Sequence, residues 1–132
     1  MTEDKSYSFF VIDDDSVLRS LIRGILSDAG YSYAGSAVNG EEGFKGCQDK
    51  RPDVVLLDIQ LPGSDGIDVL GRLMQLREPP RVIMVSGQAT LARVQSALVL
   101  GASGFIVKPF TAARLTDTVA KALRGDLHPA PE

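Results

Sequence analysis

The chain has 132 residues, 44% of them hydrophobic and 23% charged, with a formal net charge of −3 and an isoelectric point near 5.1. That length suits one domain with a real core and leaves no room for a second, and the composition excludes a disordered chain. The acidic balance, with no run of Lys and Arg, gives no general attraction to phosphate backbones, and no apolar stretch approaches membrane-spanning length, so neither direct nucleic-acid binding nor membrane insertion is expected.

Residues 9–12 form an apolar run of strand length that ends abruptly at Asp13-Asp14-Asp15, and they predict the first strand. Val17, Leu18, Leu21, Ile22, Ile25 and Leu26 then fall on one side of a 3.6-residue repeat. With Asp15 or Ser16 as N-cap and Gly30 as stop, they predict the first helix. Residues 31–37 alternate weakly, as in a less buried second strand. Asn39-Gly40-Glu41-Glu42 supplies a cap and an acidic first turn for a second helix running to about Lys50. Cys47, the sole cysteine, falls in that helix at the core edge. It leaves no partner for an internal disulfide, so a reduced, cytoplasmic compartment is expected, and the first six residues lack the basic and apolar regions of a signal peptide.

The centre of the chain is residues 53–66, Asp-Val-Val-Leu-Leu-Asp-Ile-Gln-Leu-Pro-Gly-Ser-Asp-Gly. Residues 54–57 make an unbroken apolar run, as in a strand covered on both faces, and Asp58 stops it. A carboxylate at the carboxyl end of a buried parallel strand lies where open sheets place their ligand crevices. The competing reading is that Asp58 caps the following loop through backbone amides.

Ile67, Val69, Leu70, Leu73, Met74 and Leu76 predict a third helix, closed by Glu78-Pro79-Pro80. Residues 81–85 form a fourth strand ending at Ser86-Gly87, and residues 90–100 a fourth helix stopped at Gly101. Residues 105–107 give a short fifth strand ending at Lys108-Pro109, after which Thr111 caps a helix carrying Leu115, Val119, Ala122 and Leu123. The tail at 126–132, with Pro129, Pro131 and the lone His128, is expected to be loose, with His128 solvated.

Five strands alternating with five helices predict a three-layer α/β fold, a doubly wound five-stranded parallel sheet with right-handed crossovers. The strand order 2-1-3-4-5 is taken over from flavodoxin-like sheets, and its switch point between strands one and three gathers Asp13, Asp14 and Asp58 at the carboxyl edge. Three carboxylates in one crevice require a proton or a cation among them. An oxygen-only set with no nearby His or Cys selects a hard ion such as Mg²⁺. Ser86 and Lys108 end strands four and five at the same edge. Metal and lysine on either side of a transferring phosphoryl group are recurring parts of phosphoryl-transfer sites, and Asp58 would then be the nucleophile, forming an acyl phosphate.

Four motifs, Val11-Ile12-Asp13-Asp14, Asp58-Ile59-Gln60-Leu61-Pro62-Gly63-Ser64-Asp65-Gly66, Val85-Ser86-Gly87 and the run from Gly101 to Phe110, resemble in order and spacing the receiver domains of two-component response regulators. The resemblance implies an N-terminal tail at 1–7, a receiver domain at 8–124 and a flexible tail at 125–132. It implies a phosphorelay domain that takes a phosphoryl group on Asp58 from a histidine kinase or histidine phosphotransfer protein and catalyses only its own phosphorylation and dephosphorylation. Asp14, Asp58 and the Gln60 carbonyl would ligate Mg²⁺, with Asp13 acting mainly through water. Lys108 would contact the phosphoryl group, and Lys108-Pro109 would be cis.

Ser86 stands where the family has Thr or Ser, and Phe105 where it often has Tyr. The resemblance implies that these two switch the surface of helix four, strand five and helix five. Phe105 lacks a hydroxyl and fits a half-buried strand aromatic equally well. Gln60 and Gln88, two positions past Asp58 and Ser86, are read as influencing how water reaches the acyl phosphate, against a plain role as solvated loop residues. No output domain follows Gly125, so the signal is expected to pass by contact with a downstream protein, from a monomer or a phosphorylation-dependent dimer.

Two rival readings remain. Asp13-Asp14-Asp15-Ser16-Val17 also resembles the nucleophile motif of haloacid-dehalogenase-type phosphatases, with Asp13 attacked and Asp15 as acid/base. The absence of a later acidic metal-binding motif, the lack of room for a cap domain and the unexplained Asp58 loop weigh against it. The other is a receiver-like binding module that never takes phosphate, against which stands the full set of acids with Ser86 and Lys108.

Overall fold

The computed structural model describes residues 6–125. Residues 1–5 of the expected N-terminal tail and residues 126–132, with His128, lie outside the described residues. Five parallel strands form one sheet: β1 (Ser8–Ile12), β2 (Ser32–Ala37), β3 (Val54–Asp58), β4 (Arg81–Ser86) and β5 (Gly104–Val107). Their order is β2-β1-β3-β4-β5, as expected. Between and after them come α1 (Ser16–Asp28), α2 (Gly40–Lys50), α3 (Gly66–Met74), α4 (Leu91–Leu100) and α5 (Ala112–Leu123). Among the described residues, no helix is long and apolar enough to cross a membrane.

The unbroken apolar runs in β1, β3 and β4 have a direct cause in the layering. Successive side chains point to opposite faces, and both faces are covered. Phe9, Val11, Val54, Leu56, Ile83 and Val85 pack with Ile22 and Leu26 of α1 and Leu115 and Val119 of α5. Phe10, Ile12, Val55, Leu57, Val82 and Met84 pack on the other face with Cys47 of α2, Val69, Leu70 and Leu73 of α3, and Ala97 of α4. All five residues of β3 are buried.

Each helix begins on a side chain that satisfies an otherwise orphaned backbone N–H. Asp15 caps α1, Asn39 α2, Asp65 α3, Thr90 α4 and Thr111 α5. Differences from the sequence-based expectation are local. Val17 and Leu21 of α1 are 75% and 50% exposed, because the buried stripe narrows to Ile22 and Leu26 with Leu18 and Ile25 at its edges. α3 ends at Met74, and Leu76 packs on the core from the turn that follows. An unexpected two-residue antiparallel ribbon pairs Gln60–Leu61 with Ser64–Asp65 around Gly63, whose φ of 69° suits glycine.

Candidate functional site

The sheet register determines which residues meet at the carboxyl edge. Ile12 lies opposite Leu57, Asp58 opposite Val85, and Ser86 opposite Val107. The residues emerging from β1 and β5 are therefore Asp13, level with Asp58, and Lys108, one step past Ser86. Asp13, Asp14 and Asp58 each offer a carboxylate oxygen within 4.8 Å of the others, although Asp14 is exposed and the other two are buried. The Lys108 ammonium lies between the buried pair, 3.1 Å from Asp13 Oδ2 and 3.3 Å from Asp58 Oδ2. The Lys108–Pro109 peptide is cis, as the resemblance implied.

Asp58 divides its two oxygens. Oδ1 accepts the Gln60 backbone N–H at 3.1 Å, while Oδ2 faces Lys108. Asp58 thus caps the following loop with one oxygen, as the competing reading expected, and turns the other toward the acid and lysine cluster. The loop it caps is held tightly, because the Gly66 N–H donates to the Ile59 carbonyl at 2.6 Å. A Cβ on Gly66 would collide with the Asp58 carbonyl oxygen. Glycine at this position lets the backbone fold directly behind the acid.

Asp13 is held from several sides. Its N–H donates to the Ala37 carbonyl at 3.1 Å, Oδ1 accepts the Asp15 N–H at 2.9 Å, and its carbonyl accepts from Arg19 Nη1 at 2.7 Å. Burial and the neighbouring Asp13 charge push the Asp58 carboxyl above the ordinary carboxylate range, opposed by the Gln60 N–H and by Lys108. Burial disfavours charge on Lys108, but its hydrogen bond and attraction to Asp13, then those to Asp58, outweigh that effect and raise its pKa.

Three carboxylates face one ammonium, so the cluster is short of positive charge. The donors are all oxygens, and among the described residues neither Cys47, buried on the α2 face, nor any histidine joins them. This donor chemistry fits a hard divalent ion.

Ser86 is buried at the same edge, but its hydroxyl does not bond to the acids. It donates to the Gln88 carbonyl and lies 3.0 Å from the Gln88 N–H, which donates to it. Phe105 is half-buried against the α2–α4 side of the core, and the Gln60 and Gln88 side chains are exposed. Asp15, the acid/base of the phosphatase reading, spends its carboxylate on the Val17 and Leu18 N–H groups. That reading is accordingly not favoured. Sequence reasoning missed Arg19 and the Asp65–Arg93 ion pair at 3.1 Å that ties the start of α3 to α4, and gave Gly66, which closes one of the quoted motifs, no role of its own. Asp65 carried a further readable signal as an Asp just before an apolar helix.

The chain matches the response regulator receiver domain family over residues 9–120. It is 34% identical over 111 residues to the chemotaxis protein CheY of Thermotoga maritima, covering 84% of this chain and 92% of that protein. Its fold superposes on the CheY-like receiver domain protein of Methanospirillum hungatei with a TM-score of 0.86 at 27% identity, covering 92% and 97% of the two chains. A Borrelia burgdorferi structure, described as a complex of CheX and CheY with BeF3 and Mg²⁺, matches with a TM-score of 0.84 at 30% identity, covering 87% of each chain. With the acid cluster, the lysine and the strand order in agreement, the chain belongs to the response regulator receiver domain family.

Proposed function

We propose that Asp58 accepts a phosphoryl group from a phosphohistidine on a histidine kinase or histidine phosphotransfer protein. The observation that carries this reading is the Lys108 ammonium bridging Asp13 and Asp58 beside the third carboxylate of Asp14. An Asp58 oxygen attacks phosphorus as the donor N–P bond breaks, leaving the donor imidazole and an acyl phosphate. Hydrolysis undoes the transfer: water attacks phosphorus, the P–O bond to Asp58 breaks, and phosphate leaves a free carboxylate. Lys108 neutralises charge on the phosphoryl oxygens, and the capped, glycine-backed loop keeps Asp58 in place. Asp13, Asp14, Asp58 and the Gln60 carbonyl are the residues that would hold Mg²⁺, Asp13 through water. When bound, Mg²⁺ supplies the positive charge the cluster lacks. The Mg²⁺ in the related Borrelia complex supports this assignment.

The Ser86 hydroxyl exchanges its bonds to the Gln88 backbone for one to the phosphoryl group, and Phe105 follows it inward. The surface this alters is already apolar and exposed: Leu91, Val99 and Leu100 of α4 and Val107 of β5. It suits a downstream protein target, with the chain as a monomer or phosphorylation-dependent dimer acting in the cytoplasm. Gln60 and Gln88 flank the approach of water and tune the lifetime of the acyl phosphate. The receiver domain is taken as residues 8–124, supported by elements running from Ser8 to Leu123. It catalyses only its own phosphorylation and dephosphorylation. Beryllofluoride with Mg²⁺ mimics the acyl phosphate and should shift the amide resonances of Asp58, Ser86, Phe105 and Lys108. An unchanged spectrum would support the inert binding module instead, and Asp58→Asn should abolish the response.

A further inference from the structure

We infer that Arg19 is a positioning residue for the acid pocket, acting through the backbone carbonyl of Asp13. The Arg19 side chain, half-buried on α1, reaches back to that carbonyl at 2.7 Å. Asp13 is 2% exposed, so its carbonyl has little access to water. Among the described residues, Arg19 is the one hydrogen-bond donor to this oxygen. Among the described residues, Arg19 forms no ion pair with any carboxylate, although an acid cluster lies nearby. A guanidinium beside acids that bonds a peptide oxygen instead is serving geometry more than charge balance.

The bonded peptide joins Asp13 to Asp14, the two acids that β1 delivers to the pocket. Of the other ties on Asp13, the N–H bond to Ala37 precedes this peptide, the bond to Lys108 engages the side chain, and the Asp15 N–H to Oδ1 bond closes a turn around the peptide without bonding its carbonyl. Without Arg19, the buried carbonyl is left without its partner and the peptide is held by the Asp15 turn alone, so it tilts and carries the Asp14 carboxylate away from its neighbours. Partners behind metal ligands act in this way, and losing one typically weakens metal affinity about 10- to 100-fold.

Charge alone predicts the opposite sign. Arg19 is a cation close to a cation site, so as a simple charge it opposes a divalent ion, and its removal would tighten binding. The inference rests on the acid pocket being the Mg²⁺ and phosphoryl site, so wild type must first bind Mg²⁺ in an NMR titration and accept label from acetyl phosphate. Given that, Arg19→Ala, measured below its melting temperature, should weaken Mg²⁺ binding about tenfold and slow labelling. Arg19→Lys, which keeps a donor, should recover most of both. Unchanged or tighter Mg²⁺ binding in folded Arg19→Ala, or no advantage of Lys over Ala, would overturn the inference and leave the site assignment standing. If Arg19→Ala fails to fold, the comparison of Arg19→Lys and Arg19→Gln decides in the same way. Failure of wild type to bind Mg²⁺ would overturn the site assignment and this inference together.

Discussion

Asp58 sits among opposing demands. It is buried beside Asp13, and the single ammonium of Lys108 serves both carboxylates. Its folded pKa is raised, so its ionised form opposes folding. The stability tied to its protonated form is present below the ordinary carboxylate value and is lost as pH rises through the raised folded value. Replacing it with Asn removes one buried charge while keeping the shape. Without Mg²⁺ near pH 7, Asp58→Asn should therefore stabilise the fold by on the order of 1 kcal/mol, about 4 °C in melting temperature. In melts run across pH, that gain should shrink as pH falls and vanish near the ordinary carboxylate range, whereas a constant gain would point to packing. For the exposed glutamines, Gln60→Ala and Gln88→Ala should change the dephosphorylation rate of the labelled protein by about two- to tenfold. Equal decay in wild type and both variants would reduce them to solvated loop residues.

At the scale of elements, the sequence announces what has a period and conceals what does not. The strands were legible because β1, β3 and β4 are covered on both faces, so their apolar runs stop sharply at Asp13, Asp58 and Ser86. These stops lie at the candidate site, so Asp13, Asp58, Ser86 and Lys108 could be placed at strand ends from the residues, while their gathering at one edge rested on the strand order taken over from flavodoxin-like sheets. Arg19 and Arg93 were not legible, since a polar residue on a helix surface carries no mark of the carbonyl or carboxylate it will reach. Val17 and Leu21 misled for the converse reason: apolar spacing shows a stripe but not its width.

The helix glycines divide along similar lines. Gly46 of α2 faces the Phe10 ring, and a Cβ there would collide with Cζ. The ring is 3% exposed and packed in the core, so it can yield only by displacing its neighbours. Gly46→Ala should thus destabilise the protein by about 1–3 kcal/mol despite alanine's better helix propensity. Gly24 of α1 and Gly71 of α3 are open, with nothing within 4 Å of where an alanine methyl would stand. Alanine at either should stabilise by about 0.5–1 kcal/mol. Denaturant titration of the three variants distinguishes the cases, and a uniform gain would contradict the close approach of α2 to β1.

For the molecule as a whole, the carboxyl edge holds a cluster short of positive charge on an otherwise well-packed sheet, so binding there should be felt as global stability. A ligand specific to the folded state at a hundred times its dissociation constant adds about 2.7 kcal/mol. Mg²⁺ at that level should raise the melting temperature of wild type by several degrees, while Asp58→Asn, lacking one carboxylate, should gain clearly less. Equal shifts in both would place the ion elsewhere.

Phosphoryl transfer to Asp58 is tested most directly by incubating the protein with acetyl phosphate and Mg²⁺, trapping the acyl phosphate by borohydride reduction and mapping the modified residue by mass spectrometry. Modification of Asp58 alone is expected, lost in Asp58→Asn and sharply reduced in Lys108→Ala. Label on Asp13 with steady turnover of phosphate esters, or no label on any aspartate, would contradict it.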